Sequence, residues 1–483
     1  MLQHVIVWFR KDLRIQDNPA LAEAAASGKP VLPVFIQAPQ EEGEWAPGGA
    51  SRWWQHHALT SLDYKLREAG NHLIVHEGDS LEILKQIASD HDVTDVYWNR
   101  RYEPASLERD ADVRAGLKGE DIEVHDFNGS LIWEPHQVRK PNGEPYKVFT
   151  PFWKQARQMP VATVKHASRD GLARDTGLVE GESLDTLGLL PRFGWDGQFY
   201  DAWTPTLDGA RYALESFSEE KIKGYTKLRD CPGVDGTSRL SPFLHFGQLS
   251  PRQVWHAIHA SGAADTNDGF KFLSEIAWRE FAHHLLFHYP RTPTQPLNDS
   301  FGDFPWQDDA EMLDAWRKGQ TGYPIVDAGM RQLWRTGWMH NRVRMVAASL
   351  LVKHLLQPWQ AGARWFWETL VDADLANNTM GWQWTAGCGA DAAPYFRIFN
   401  PMLQGAKFDP NGDYVRAWVP ELAGLPDKHI HAPWEASKAV LSEAGVTLGQ
   451  TYPEPIVEHR LGRERALAAL QENTQRNRAK VNV

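Results

Sequence analysis

The chain has 483 residues, enough for two or three domains that each bury a core, with ordinary hydrophobic and charged shares of 42% and 23%. No apolar run is long enough to span a bilayer, and the only cysteines, Cys231 and Cys388, exclude a disulfide framework or a cysteine-built zinc site. The net charge of −11 argues against a uniformly basic nucleic-acid binder, but from Arg331 to Arg364 there are six basic residues and no acidic one, a local excess that fits either a solvated helix face or a phosphate contact.

The N-terminal run from Met1 to Arg10 lacks the pattern of a secretion signal and reads as a first strand, which with the reduced cysteines suggests a cytoplasmic location. Short apolar runs at Val5–Phe9, Val31–Ile36, Leu73–His76, Val93–Trp98 and Ile122–Asp126 alternate with helical stretches. One of these starts at Asn18-Pro19, a capping residue followed by a first-turn proline. This alternation predicts an α/β domain over residues 1–130 with a parallel, Rossmann-like sheet, although no Gly-x-Gly-x-x-Gly follows the first strand. Residues 131–205, rich in Gly, Pro, Asp and Arg, read as a long linker wrapped on a surface. Residues 206–475 read as all-α, with helices expected at Ala210–Phe217, Phe270–Tyr289, Asp327–Arg335, His340–Leu356, Ala361–Val371 and Pro455–Thr474, before a short polar tail at 476–483.

Four segments of the helical part could carry chemistry. Asp235-Gly236-Thr237-Ser238-Arg239-Leu240-Ser241-Pro242 brings three hydroxyls to a helix start, suited to a diphosphate but equally to an ordinary cap. Glu275 and Trp278, three apart, share a helix face that can hydrogen-bond to and stack on a flat heterocycle. Asn341 and Met345 share another, with Arg344 adjacent and Arg342 turned somewhat apart. Asp372-Ala373-Asp374-Leu375-Ala376-Asn377-Asn378 with Gly381-Trp382-Gln383-Trp384 forms a dense polar and aromatic cluster in a short irregular stretch. It lacks the His or further oxygens a metal would need. His284 and His288 have i, i+4 spacing but no surrounding zinc motif, and read as packing or surface residues.

Together with Trp8-Phe9-Arg10-Lys11-Asp12-Leu13-Arg14 and Thr321-Gly322-Tyr323-Pro324-Ile325-Val326-Asp327-Ala328, these segments resemble the photolyase and cryptochrome family over essentially the whole chain. The resemblance implies an α/β antenna domain, a long linker and a helical FAD-binding domain. It assigns Tyr225, Thr237, Ser238, Arg239, Leu240 and Ser241 to the FAD phosphates and ribityl chain. Asn341, Arg344, Asp372 and Asp374 go to the flavin ring, and Asn378 to flavin N5. It assigns Arg229, Glu275, Trp278, Arg279, Asn341, Arg342, Met345 and Trp384 to damaged DNA, with Glu275, Asn378 and Arg342 catalytic. Trp306, Trp359 and Trp382 become an electron-transfer chain, and the basic excess of Arg331–Arg364 a phosphate-binding rim.

The implied activity is that of a deoxyribodipyrimidine photolyase, a carbon–carbon lyase. In it, excited FADH⁻ passes an electron to a cyclobutane pyrimidine dimer flipped out of DNA. Asn341, where relatives acting on (6-4) photoproducts tend to carry His, favours the cyclobutane dimer, and Asn378 favours repair over signalling. The alternative is a cryptochrome-type blue-light receptor that acts through a partner. No membrane, no metal and no obligate protein partner are expected, and the chain is expected to act as a monomer. The stretch Tyr102-Glu103-Pro104 lacks the Asn-Glu pair of one folate-binding mode. A differently held folate, a deazaflavin or no antenna stay open.

Overall fold

The computed structural model describes residues 3–172 and 179–481. Met1 and Leu2 of the expected first strand, part of the linker (173–178) and the end of the expected tail (482–483) lie outside the described residues. By contact the chain divides into two compact units. The first comprises Met1–Ile222, Ser238–Pro290 and Val371–Asp374; the second comprises Lys223–Thr237, Arg291–Leu370 and Leu375–Val483. The boundaries drawn at 130 and 205 mark a change of secondary structure, whereas compactness follows a different line.

In the first unit, strands β1 (His4–Phe9), β2 (Val31–Gln37), β3 (Ile74–Glu77), β4 (Val93–Asn99) and β5 (Glu123–Phe127) form one parallel sheet in the order β3-β2-β1-β4-β5. Helices α1 (Pro19–Ala26), α2 (Gly49–Glu68), α3 (Ser80–Asp90) and α4 (Pro104–Lys118) connect the strands. The Asn18 side chain caps α1 by accepting from the Leu21 amide, as the Asn-Pro pair predicts. Covered strands need not alternate, so every residue of β2 is buried. Ile6, Trp8, Leu32, Val34, Ile74, Val96 and Trp98 close one core with Leu84, Ile87 and Leu117 of the helices.

The linker does wrap this unit. Its Leu172 and Val179 carbonyls accept from Asn71 and His72, and the Glu182 amide bonds to the Val75 carbonyl. It also carries helix α5 (Phe149–Ala156). The unit's longest helix, Asn267–His288, packs against α5 and receives the linker through Glu280, which accepts from the Ile132 and Trp133 amides.

The second unit is helical. Its main helices are Pro324–Thr336, Asn341–Ser349, Trp359–Thr369, Leu375–Ala386 and His459–Val481. Two departures from expectation stand out. The cluster read as irregular around residues 372–384 is mostly the helix Leu375–Ala386. The last helix continues to Val481, through most of what reads as a polar tail. No helix among the described residues is long and apolar enough to cross a membrane.

Candidate functional site

Within the first unit, helix Asn267–His288 presents Glu275 and Trp278, three residues apart and both half-buried. Glu275 is paired with Lys271 at 3.0 Å. The Trp278 indole stacks on Phe149 at 3.7 Å and 8°, so the linker covers one of its faces. The Arg279 guanidinium, expected on the DNA face, is 12% exposed, and its Nη1 donates to the Ser130 carbonyl and to Glu280.

The Gly236–Ser241 run is irregular chain ending in a single helical turn, Ser241–His245. The Ser241 hydroxyl donates to Asp372 at 2.6 Å, bringing together two residues read separately in the sequence. Arg239 has a positive φ of 51° and lies 4.2 Å from the centre of the Trp203 ring, with a bond to the Ala202 carbonyl. These contacts hold its side chain on the linker.

Sequence reasoning missed the setting of Asp374. His283 Nε2 lies 3.3 Å from its carboxylate and His245 Nδ1 lies 3.7 Å away. His283 Nδ1 meets the Arg279 carbonyl at 3.0 Å. Both ring nitrogens of His283 therefore face acceptors, which favours the imidazolium. Burial alone lowers the pKa of His283, but the Asp374 charge outweighs it and the net shift is upward. Burial pushes the Asp374 carboxyl up, yet His283 and His245 pull it well below the usual range. The three side chains come from positions far apart in the chain, so no local spacing signals them. They line a cavity of about 30 Å³, room for a water or two, together with Lys11, Arg101 and Glu103.

Glu103 and Tyr102, at the point expected to meet an antenna, have structural partners: Glu103 binds Arg101 at 2.6 Å and Tyr102 donates to Glu134. His284 and His288 both contact the Pro135 carbonyl, and His284 Nε2 accepts from the Tyr146 amide. They are packing residues.

Within the second unit, Tyr225 is buried, with the Arg229 guanidinium 5.5 Å from its ring centre, and Thr237 is half-buried. His340 caps the helix Asn341–Ser349 by accepting from the Arg342 amide, and so fixes the helix start that carries Asn341, Arg342, Arg344 and Met345. Burial depresses His340 to about 4, which keeps it the neutral acceptor this cap needs. Asn341 is exposed, and Arg344 Nε donates to the Met339 carbonyl. Arg342 pairs with Asp230 at 2.8 Å and lies 4.4 Å from the Phe408 ring centre.

The basic excess of Arg331–Arg364 does not form one rim. Lys353 is 1% exposed, sits over the Tyr395 ring and donates to the Ala386 carbonyl, while Arg331 is paired with Glu421.

Helix Leu375–Ala386 carries Asn378, Trp382 and Trp384. Asn378 Nδ2 donates to the Ala363 carbonyl at 3.0 Å on helix Trp359–Thr369, which fixes the amide's orientation. Its Oδ1 accepts nothing among the described residues. Trp382 is 2% exposed and lies over Gly362, where a Cβ would come within 2.1 Å of the indole. Gly362 is thus required for these two helices to approach. Trp359 opens the same helix and is 1% exposed, while Trp306 is half-buried, held nearby by the bond from the Gln307 amide to the Leu356 carbonyl. The three expected redox tryptophans thus grade from buried to partly open within one unit. Sequence reasoning missed the fully buried Trp316, which touches Trp382 edge-on at 6.1 Å.

Two family models match the chain, "DNA photolyase" over residues 5–168 and "FAD binding domain of DNA photolyase" over residues 272–472. A deoxyribodipyrimidine photo-lyase of Agrobacterium fabrum is 49% identical over 96% of this chain and 97% of its own length. Cryptochrome-1 of Arabidopsis thaliana is 39% identical over 97% of this chain and 69% of its own length. A solved bacterial class III photolyase from Agrobacterium tumefaciens superposes with a TM-score of 0.95 at 47% identity, covering 98% of each chain. On its motifs, its fold and these matches, the chain belongs to the photolyase and cryptochrome family.

Proposed function

We propose that this protein repairs cyclobutane pyrimidine dimers in DNA under blue light, using reduced FAD. The observation that carries the reading is Asn378. Its amide is anchored through Nδ2 to the Ala363 carbonyl, so Oδ1 is the group left to accept a hydrogen bond. An acceptor so oriented suits a protonated flavin N5, the state a repair enzyme must hold. Reduced flavin, when bound, supplies the electron that light drives into the dimer.

The residue types suit such a group in each unit: in the first, Ser238 and Ser241 offer hydroxyls and Asp372 and Asp374 are acceptors; in the second, Thr237 offers a hydroxyl, Tyr225 a buried aromatic wall, and Asn341 and Arg344 an amide and a cation. In the first unit, Glu275 and Trp278 are assigned to the dimer. In the second, Asn341, Arg342, Met345 and Trp384 are assigned to it, with Arg229 on the phosphates. Eversion of the dimer costs a few kcal/mol, less at a damaged site. Stacking on an indole returns about 1–3 kcal/mol per base. Glu275 and Arg342 donate or accept hydrogen bonds where charge develops on the split bases. Trp382, Trp359 and Trp306 are assigned to carrying an electron inward.

The 39% identity to a plant cryptochrome supports a second reading, a blue-light receptor acting through a partner. One experiment separates the two: oligonucleotides carrying a single thymine dimer are incubated with purified, fully reduced protein in darkness and under blue light. Restoration of thymines only in the light supports repair. Tight binding without restoration favours the receptor and overturns the repair reading.

A further inference from the structure

The second unit carries a groove of about 520 Å³, lined in part by Arg317, Lys318, Arg331, Trp334, Arg335 and Trp365, that none of the assigned flavin or dimer residues enters. This volume is in the range of small-ligand sites. Trp334 is 54% exposed and stacks parallel to Trp365, with centroids 5.9 Å apart and planes 5° apart. The paired indoles give the groove a broad, flat apolar wall.

The groove's cations differ in how they are used. Lys318 is paired with Asp314, and Arg331 with Glu421. Arg317 lies 5.3 Å from the Trp365 ring centre, and its Nε is buried without a hydrogen-bond partner. The Arg335 side chain, next to Trp334 on helix Pro324–Thr336, makes no ion pair or hydrogen bond among the described residues.

We infer that this groove is a stacking site for an unpaired nucleotide of a DNA strand, with the base on Trp334 and the phosphate met by Arg335 and Arg317. Every base presents a π-face, so an indole platform takes single strands with little regard to sequence, and flanking guanidiniums supply the charge such strands need. The complementarity is specific in kind. A wholly apolar partner would leave Arg335 and Arg317 uncovered, and a bare anion would leave Trp334 uncovered. A strand covers both. The site is distinct from the one assigned to the dimer, and its test does not require repair to occur.

The test uses the flavin-loaded protein in darkness, saturated with a duplex carrying one thymine dimer, and titrated with a dye-labelled thymidine pentamer followed by anisotropy. Retained pentamer binding supports a second site. Trp334→Ala is expected to weaken it about 5- to 150-fold, while Trp334→Phe, which keeps a flat ring, stays close to the parent. Arg335→Ala is expected to reduce the slope of log affinity against log salt by about 0.7. Repair of the duplex by Trp334→Ala is expected to be unchanged. The proposal is overturned if the pentamer no longer binds once the duplex saturates the protein, if Trp334→Ala binds it as the parent does, or if free thymidine monophosphate competes as strongly as the pentamer.

Discussion

Two polar motifs, one in each unit, use their hydrogen-bonding capacity in opposite ways. In the first unit Arg14 is 1% exposed and donates from Nε and Nη2 to the Asp17 carbonyl, from Nη1 to Gly247 and from Nη2 to Gly129. Arg10 is likewise bound to Asp110 and the Asn99 carbonyl. Gly247, with φ of 67°, can approach only because it has no Cβ; one would lie 2.3 Å from the Lys11 carbonyl. In the second unit, Asn378 makes one bond through Nδ2 and leaves Oδ1 unused. The difference teaches how to read a motif. A buried side chain that spends its donors on several backbone carbonyls holds the chain in place, whereas a half-buried one with an unused acceptor is open to a ligand. Arg14 belongs to the architecture even though its motif helps to identify the family.

This contrast predicts that mutations in the saturated set move stability and those in the unsaturated set move chemistry. The largest loss of stability is expected from Arg14→Met, which leaves three buried carbonyls without their donor. A cost of about 3 kcal/mol or more follows from several bonds to a charged group, read as a fall in the denaturant midpoint. Repair per folded molecule should stay at the parental level; a loss of repair in the folded fraction would break the distinction.

Acid should come next. Burial depresses His245, His284 and His340 to about 4 and His354 to about 3. A histidine whose folded pKa lies below its unfolded value contributes fully above about 6.5, and that contribution is lost as pH falls towards the folded value. Stability should therefore drop between about pH 6.5 and 4, by roughly 1–3 kcal/mol per histidine. His284→Gln, which can still accept from the Tyr146 amide, should flatten that slope in pH-dependent thermal melts. An unchanged slope would show that His284 takes up its proton at the same pH in the folded as in the unfolded chain.

The strand–helix alternation and the long helices were legible because each rests on local periodicity, and the asparagine–proline start of α1 because capping is local. The helix Leu375–Ala386 was not. Asn377, Asn378 and Gly381 are weak helix formers, and the fit of Trp382 over Gly362 stabilises the turn from a distance of twenty residues. The setting of Asp374 was illegible for the same reason: His245 and His283 reach it only through the fold. The bond from Arg279 to the Ser130 carbonyl was illegible because that carbonyl belongs to the linker. Candidate residues such as Glu275, Trp278, Asn341 and Met345 were legible as shared helix faces, but not the cover that Phe149 puts on Trp278.

A smaller stability effect, with a sharper chemical one, is expected for Trp382→Phe. The smaller ring leaves space over Gly362 and costs about 1–2 kcal/mol. Photoreduction of oxidised flavin should be abolished, while chemically reduced enzyme repairs as the parent does. Normal photoreduction in this variant would remove Trp382 from the electron path and turn attention to Trp316.

The smallest change in stability is expected for Asn378→Ala. The substitution removes one hydrogen bond to Ala363 from a half-buried side chain on a helix that alanine favours. The net cost should not exceed about 1 kcal/mol, since the freed carbonyl can rebond to water. What is lost is the only oriented acceptor this side chain offers, so the absorption spectrum of the purified variant is expected to show oxidised flavin and that of the parent reduced flavin, and light-driven repair should fall with it. Asn378→Asp keeps an acceptor but loses the Nδ2 donor that sets its direction, and should lie between the two. If both variants hold reduced flavin as firmly as the parent, Asn378 belongs with Arg14 among the residues that only support the fold.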